Sequence, residues 1–128
     1  MPLVRIDLLE GKPADYGVRI GRVVYRAQVE VLGAPKDDLF QVITEHPPAG
    51  LQFDRDYLGI HRTDDCIFLQ ITLNEGRTVE LKRQFYTAVA DGLHQELGVR
   101  REDVFVNLVE VKKENWSYGN GEAQYARG

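Results

Sequence analysis

Basic charge is in short supply: 16 Lys+Arg stand against 20 Asp+Glu in 128 residues, a formal net charge of -4. Without a basic stripe the chain lacks the electrostatic footprint of a nucleic-acid binder. Long apolar runs are missing as well, and none approaches the ~20 residues a membrane-spanning helix requires. The single Cys66 excludes an intrachain disulfide and fits a reducing cytoplasm. Its place in the apolar stretch CIFLQITL reads as buried filler rather than as a nucleophile. His46, His61 and His94 show no ligand spacing and Cys66 does not complete a zinc pattern, so no metal is expected. Phosphate-binding glycine loops and a GxSxG nucleophile turn are also absent. The opening PLVRIDLLEG reads as a strand, not as a targeting signal.

What is present fits one domain over 1–128, with 43% hydrophobic residues to build a core. Its most informative feature is an internal repeat with a constant offset of 65 positions. Ile6, Leu8, Glu10 and Gly11 recur as Ile71, Leu73, Glu75 and Gly76; Leu32 and Gly33 recur as Leu97 and Gly98; Asp38, Phe40 and Glu45 recur as Asp103, Phe105 and Glu110. The chain reads as a duplicated unit of about 45 residues, covering 2–46 and 66–111, with a connector over 47–65 and a C-terminal arm over 112–128.

Each unit reads strand, helix, strand. Leu3–Leu9 is aliphatic and ends at Glu10-Gly11. Pro13 suits the first turn of a helix, and Tyr16, Ile20, Val23, Val24, Ala27 and Val31 then recur at helical spacing. Gly33 suits a left-handed cap, and Leu39–Glu45 forms the second strand. In the second unit Cys66–Leu73 is a strand and Thr78 a helix cap. Leu81, Phe85, Ala88, Val89, Gly92 and Leu93 carry the inner helix face, Gly98 closes the helix, and Val104–Val111 is the last strand. The expected fold class is α/β, in the two-layer α+β arrangement: one sheet with both helices on one face, because each crossover is right-handed. Val106, Leu108, Ile71 and Leu73 leave few strand positions polar, so the other face is expected to be covered by association into a closed oligomer.

Several residues carry chemistry in this plan. Pro2 becomes a secondary amine at the start of a strand once Met1 is removed, and a small second residue permits that removal. A less polar site or neighbouring cations would lower its pKa toward neutrality and make it an effective base. Many chains begin Met-Pro without using the proline. Lys12 and Arg77 occupy equivalent positions just after the inner strands, where a cation can grip a carboxylate or simply be solvated beside a helix start. Asp38 and Asp103 are the other matched pair, each readable as a cap or turn residue. Trp116 and Tyr118, in NWSYGNG, read as packing residues or as the wall of a pocket.

These residues converge on one family. PLVRIDLLEG, GAPKDDLFQV, the EHP segment, LGIHRT and WSYGNG run in order over nearly the whole chain. Together with Pro2 and the duplicated β-α-β plan, they resemble the tautomerase superfamily, and within it the group containing malonate semialdehyde decarboxylase. The resemblance implies a trimer with active sites near subunit boundaries, a small carboxylic-acid substrate and no cofactor. It implies Pro2 as the catalytic proline, acting as general base in tautomerases and as cationic general acid in the decarboxylase. Arg77 matches the arginine that binds the substrate carboxylate, Asp38 the aspartate that orients the reacting group, and Trp116 and Tyr118 the aromatic wall. Where the decarboxylase carries two arginines separated by one residue, this chain has the longer turn Asn74-Glu75-Gly76-Arg77 and one arginine. Lys12 matches a substrate-binding cation of small tautomerases. The reading that follows is proton transfer in a 2-oxo acid or its enol, with Pro2 as base. Decarboxylase or hydratase chemistry on a 3-oxo or unsaturated acid is the alternative, and a non-catalytic oligomer binding an anion or a protein is a third.

Overall fold

In the computed structural model, which describes residues 2–126, four strands form one mixed sheet: β1 (Leu3–Leu9), β2 (Gln41–His46), β3 (Ile67–Asn74) and β4 (Val104–Val111). The strand order is β2-β1-β3-β4. The central pair β1/β3 is antiparallel, while β2 runs parallel to β1 and β4 parallel to β3. Two helices, α1 (Tyr16–Glu30) and α2 (Val79–Leu97), supply the crossovers. Short 3₁₀ turns at Pro48–Gly50 and Tyr57–Gly59 occupy the connector, and others at Lys113–Asn115 and Gln124–Ala126 shape the arm.

Alternation along the strands sets the core. Val4, Ile6 and Leu8 of β1 and Ile67, Leu69, Ile71 and Leu73 of β3 are buried and pack with Ile20, Val23 and Val24 of α1 and Phe85, Val89 and Leu93 of α2. The helices approach closely where side chains are missing: a Cβ on Gly92 would stand 2.7 Å from Val23 Cγ1. Thr78 caps α2, its hydroxyl accepting from the Leu81 amide at 3.1 Å, and Gly98 ends it in the left-handed conformation.

Some boundaries and one face differ from the sequence reading. Pro13 lies in a turn before α1, its carbonyl accepting from the Tyr16 amide. Leu39 and Phe40 precede β2: Phe40 still accepts from the Val4 amide, but regular pairing starts at Gln41. Cys66 is held in a turn by the Thr63 carbonyl, so β3 starts one residue later and runs on to Asn74. Ile71, Leu73, Val106 and Leu108 belong to the helix-covered core, so they do not form the bare face that an oligomer would cover. The opposite face is mixed. It carries Asp7 bonded to His46 at 2.7 Å and Gln70 bonded to Asn107 at 3.1 Å. Beside them lie the exposed Leu3, Val42, Phe105 and Val109, with Phe105 packed on Phe68.

Candidate active site

Sheet topology gathers five segments at one end of the molecule. Because β1 and β3 are antiparallel, the start of β1 meets the end of β3, with Leu3 opposite Thr72. The parallel partner β2 brings Asp38 and Phe40 to that same end. The parallel partner β4 ends with Val111 opposite Asn74 and delivers the arm there. Pro2, buried at the start of β1, therefore shares this end with Asp38, Arg77, Trp116 and Tyr118. A cavity of about 230 Å³ opens between Pro2, Leu3, Phe40, Trp116, Ser117 and Tyr118. Met1 lies outside the described residues, so its expected removal is not something the structure describes.

The cavity walls are aromatic and stacked. Trp116 and Tyr118 lie nearly parallel, with ring centroids 5.5 Å apart, and Tyr118 is 6.2 Å from Phe40 and 5.4 Å from Tyr125. The Tyr118 hydroxyl is buried without a hydrogen-bond partner among the described residues. Burial first, then the neighbouring Tyr125 and Asp38, pushes its pKa up to about 12, so it stays a protonated donor. Asp38 is 3% exposed. Burial pushes its carboxyl above the ordinary value. The Arg77 guanidinium donates to the Asn74 carbonyl at 2.9 Å and the Leu32 carbonyl at 3.4 Å. Those bonds fix its direction at the end of β3. Neither Arg77 nor Asp38 is part of the cavity's lining.

Lys12 is not brought to this end. It follows the far end of β1, where its ammonium bonds the Asp65 carboxylate and lies 5.4 Å from the Tyr16 ring centroid. The Asp65 bond raises its pKa. The reason is the antiparallel central pair: positions equivalent in the two repeats fall at opposite ends of the sheet. Asp103, the repeat partner of Asp38, lies at the Lys12 end and accepts from the Thr63 amide at 2.7 Å and the Thr63 hydroxyl at 2.6 Å. Where the first unit offers Pro2, the second has Ile67 inside a continuous chain.

Sequence reasoning missed Phe40, Ser117 and Asn74 at this end. Phe40 had a signal in its repeat match to Phe105 and Ser117 lay inside the WSYGNG segment, while Asn74 was read only as the first residue of the 74–77 turn. Among the described residues no group of three His, Cys, Asp or Glu side chains is placed to hold a metal ion, and no helix is long and apolar enough to cross a membrane.

A family model described as "Tautomerase enzyme" matches residues 38–119, and a second model of the same description matches 2–59. The chain belongs to the tautomerase superfamily and is an enzyme of that family by these matches and by its relatives. The probable tautomerase YusQ of Bacillus subtilis (strain 168) is 40% identical over 124 residues, 97% of this chain and 98% of that protein. FG41 malonate semialdehyde decarboxylase, solved inhibited by 3-bromopropiolate, superposes with a TM-score of 0.89 at 34% identity, covering 96% of this chain and 93% of that one. A fused 4-OT solved as a symmetric trimer shares the fold, with a TM-score of 0.78 at 23% identity over 97% and 98% of the two chains.

Proposed function

We propose that this enzyme is a cofactor-free tautomerase that moves a proton in a small 2-oxo carboxylic acid, using the Pro2 amine, freed by removal of Met1, as general base. The observation that supports this best is the burial of Pro2 in an aromatic cavity, at the sheet end where Arg77 is fixed. Burial disfavours the ammonium form of an amine, the direction that a general base working near neutral pH requires. In the forward step the Pro2 nitrogen takes the enol hydroxyl proton. The O–H pair becomes the carbonyl π bond, and the C=C pair accepts the proton at carbon. Arg77 grips the substrate carboxylate through two parallel N–H donors. Asp38 supports charge placement beside the amine, and Trp116 and Tyr118 wall the bound substrate. A homotrimer, as the fused 4-OT forms, would cover the exposed apolar residues of the open sheet face. Lys12 can reach a Pro2 site only from a neighbouring subunit.

One observation favours a second reading. Asp38 lies buried at the Pro2 end of the sheet, and a carboxylate near an amine favours the ammonium form of that amine. That suits a protonated Pro2 donating a proton in decarboxylation or hydration of a 3-oxo or unsaturated acid, as the likeness to FG41 malonate semialdehyde decarboxylase suggests. The test is turnover of enol, 3-oxo and haloacrylate acids by the Met1-free protein, its mass verified, beside Pro2→Ala and Arg77→Ala. Pro2→Ala is expected to lower kcat by about 10²–10⁴-fold, and Arg77→Ala to raise KM. A pH–rate profile with its sole apparent pKa above about 9 refutes the base mechanism. If neither substitution changes turnover of any acid, the site assignment fails and a binding module is left.

A further inference from the structure

The C-terminal arm supplies the aromatic wall of the cavity, yet β4 ends at Val111 and the described residues of the arm beyond it form no strand. Its internal bonds, such as Tyr118 amide to Gln124 Oε1 at 2.9 Å and Gln124 Nε2 to the Gly119 carbonyl at 2.9 Å, fold it on itself. Besides the packing of Tyr118 on Phe40, a side-chain hydrogen bond ties it to the sheet: the Trp116 indole Nε1 donates to Asn74 Oδ1 at 2.7 Å in a part-buried setting. The same Asn74 gives its backbone carbonyl to the Arg77 guanidinium at 2.9 Å. We infer that Asn74 is a positioning residue of the active site: its side-chain amide docks Trp116 as the wall while its carbonyl aims Arg77, so one residue sets the spacing between the carboxylate grip and the aromatic cover. This rests on the tautomerase reading of the Pro2 cavity.

Physical chemistry supports the assignment. Indole N–H is a donor only, so Oδ1 of an asparagine or aspartate at 74 satisfies it and an aliphatic side chain does not. With its acceptor gone, a part-buried indole N–H regains a partner only by turning toward water. Trp116 stacks on Tyr118, so its departure unseats the second wall residue too. Arg77 keeps its backbone acceptors in any such variant. The wall contacts ground state and transition state alike, so its loss appears in KM rather than kcat.

Trp116 is the single tryptophan of the chain, so its emission reports arm docking with no substrate present. In Asn74→Ala the emission is expected to shift to longer wavelength with greater acrylamide quenching. KM for the best acid of the panel should rise about tenfold with kcat held within about threefold. Asn74→Asp keeps the acceptor and should keep the native emission. Trp116→Phe keeps a ring but lacks the donor; combined with Asn74→Ala it should add little to the rise in KM, because both remove one bond. Native emission in Asn74→Ala overturns the docking role. Shifted emission with wild-type KM overturns the catalytic relevance, provided Pro2→Ala still abolishes turnover. If Pro2→Ala has no effect, the function reading itself has failed, while the emission still decides whether Asn74 holds the arm.

Discussion

Replacing Asp103 by alanine separates folding from chemistry, because this carboxylate repeats Asp38 in sequence but lies at the end of the sheet away from the Pro2 cavity. Asp103 is fully buried. It accepts two short bonds from Thr63, and the Arg100 guanidinium stands 3.7 Å away. Hydrogen bonds to a charged acceptor are worth about 1.5–3 kcal/mol each. Thr63 is only half-buried, so water takes over part of what is lost, and the lower end of the range applies to both bonds. The sum is about 3 kcal/mol, a large share of the roughly 5–15 kcal/mol that holds a domain folded. For a chain of this size it corresponds to a fall in Tm of about 10 °C. Asp103→Asn keeps one acceptor oxygen and should lose about half as much. Urea unfolding followed by far-UV circular dichroism, at one fixed protein concentration, gives the loss, and an unchanged slope shows that stability alone moved. Turnover measured well below both transitions should stay within about twofold of wild type. A loss under about 1 kcal/mol refutes the clamp. An unshifted midpoint with turnover lost would place Asp103, against the geometry, in the chemistry.

Asp38 carries the opposite sign. Burial raises its native pKa, so its contribution to stability is present in full below the unfolded value and is lost as pH rises through the native one. Asp38→Asn is therefore expected to be more stable than wild type at neutral pH and equal to it in acid, though slower in turnover; urea midpoints that differ equally at both pH values contradict this. Cys66 is 1% exposed and burial pushes its thiol up to about 11. A disulfide reagent at mildly alkaline pH should leave the native protein unmodified and react in step with unfolding; prompt reaction of the folded chain would show that the thiol is accessible.

Local patterns carried much of the fold because they report local forces. The strands Leu3–Leu9 and Val104–Val111 fall where alternation and flanking turns put them, and Thr78 and Gly98 cap α2 as their side-chain chemistry dictates. The duplication gave the number and order of elements. It concealed their direction, since the units meet through antiparallel strands and equivalent residues diverge to opposite ends. Lys12 and Arg77 look interchangeable in sequence for that reason and do different things in space: one is paired with Asp65, the other fixed by backbone carbonyls.

The candidate site divides along the same line. Pro2, Asp38, Trp116 and Tyr118 stood out in the sequence because each has a side chain whose chemistry is conspicuous wherever it stands, and the structure brings them to one end of the sheet. Asn74 was not, because nothing in an asparagine at the end of a strand predicts an indole 42 residues further along the chain. What makes it consequential is the parallel pairing of β3 with β4, which aligns Asn74 with Val111 and so starts the arm beside it. Parallel pairing of β1 with β2 recurs at the other end of the sheet, but there β3 begins inside the chain, so its first residue cannot become a chain terminus. Under the proposed function only one end of the duplicated fold can become a proline site, and the arm and Asn74, which would complete it, lie at that end.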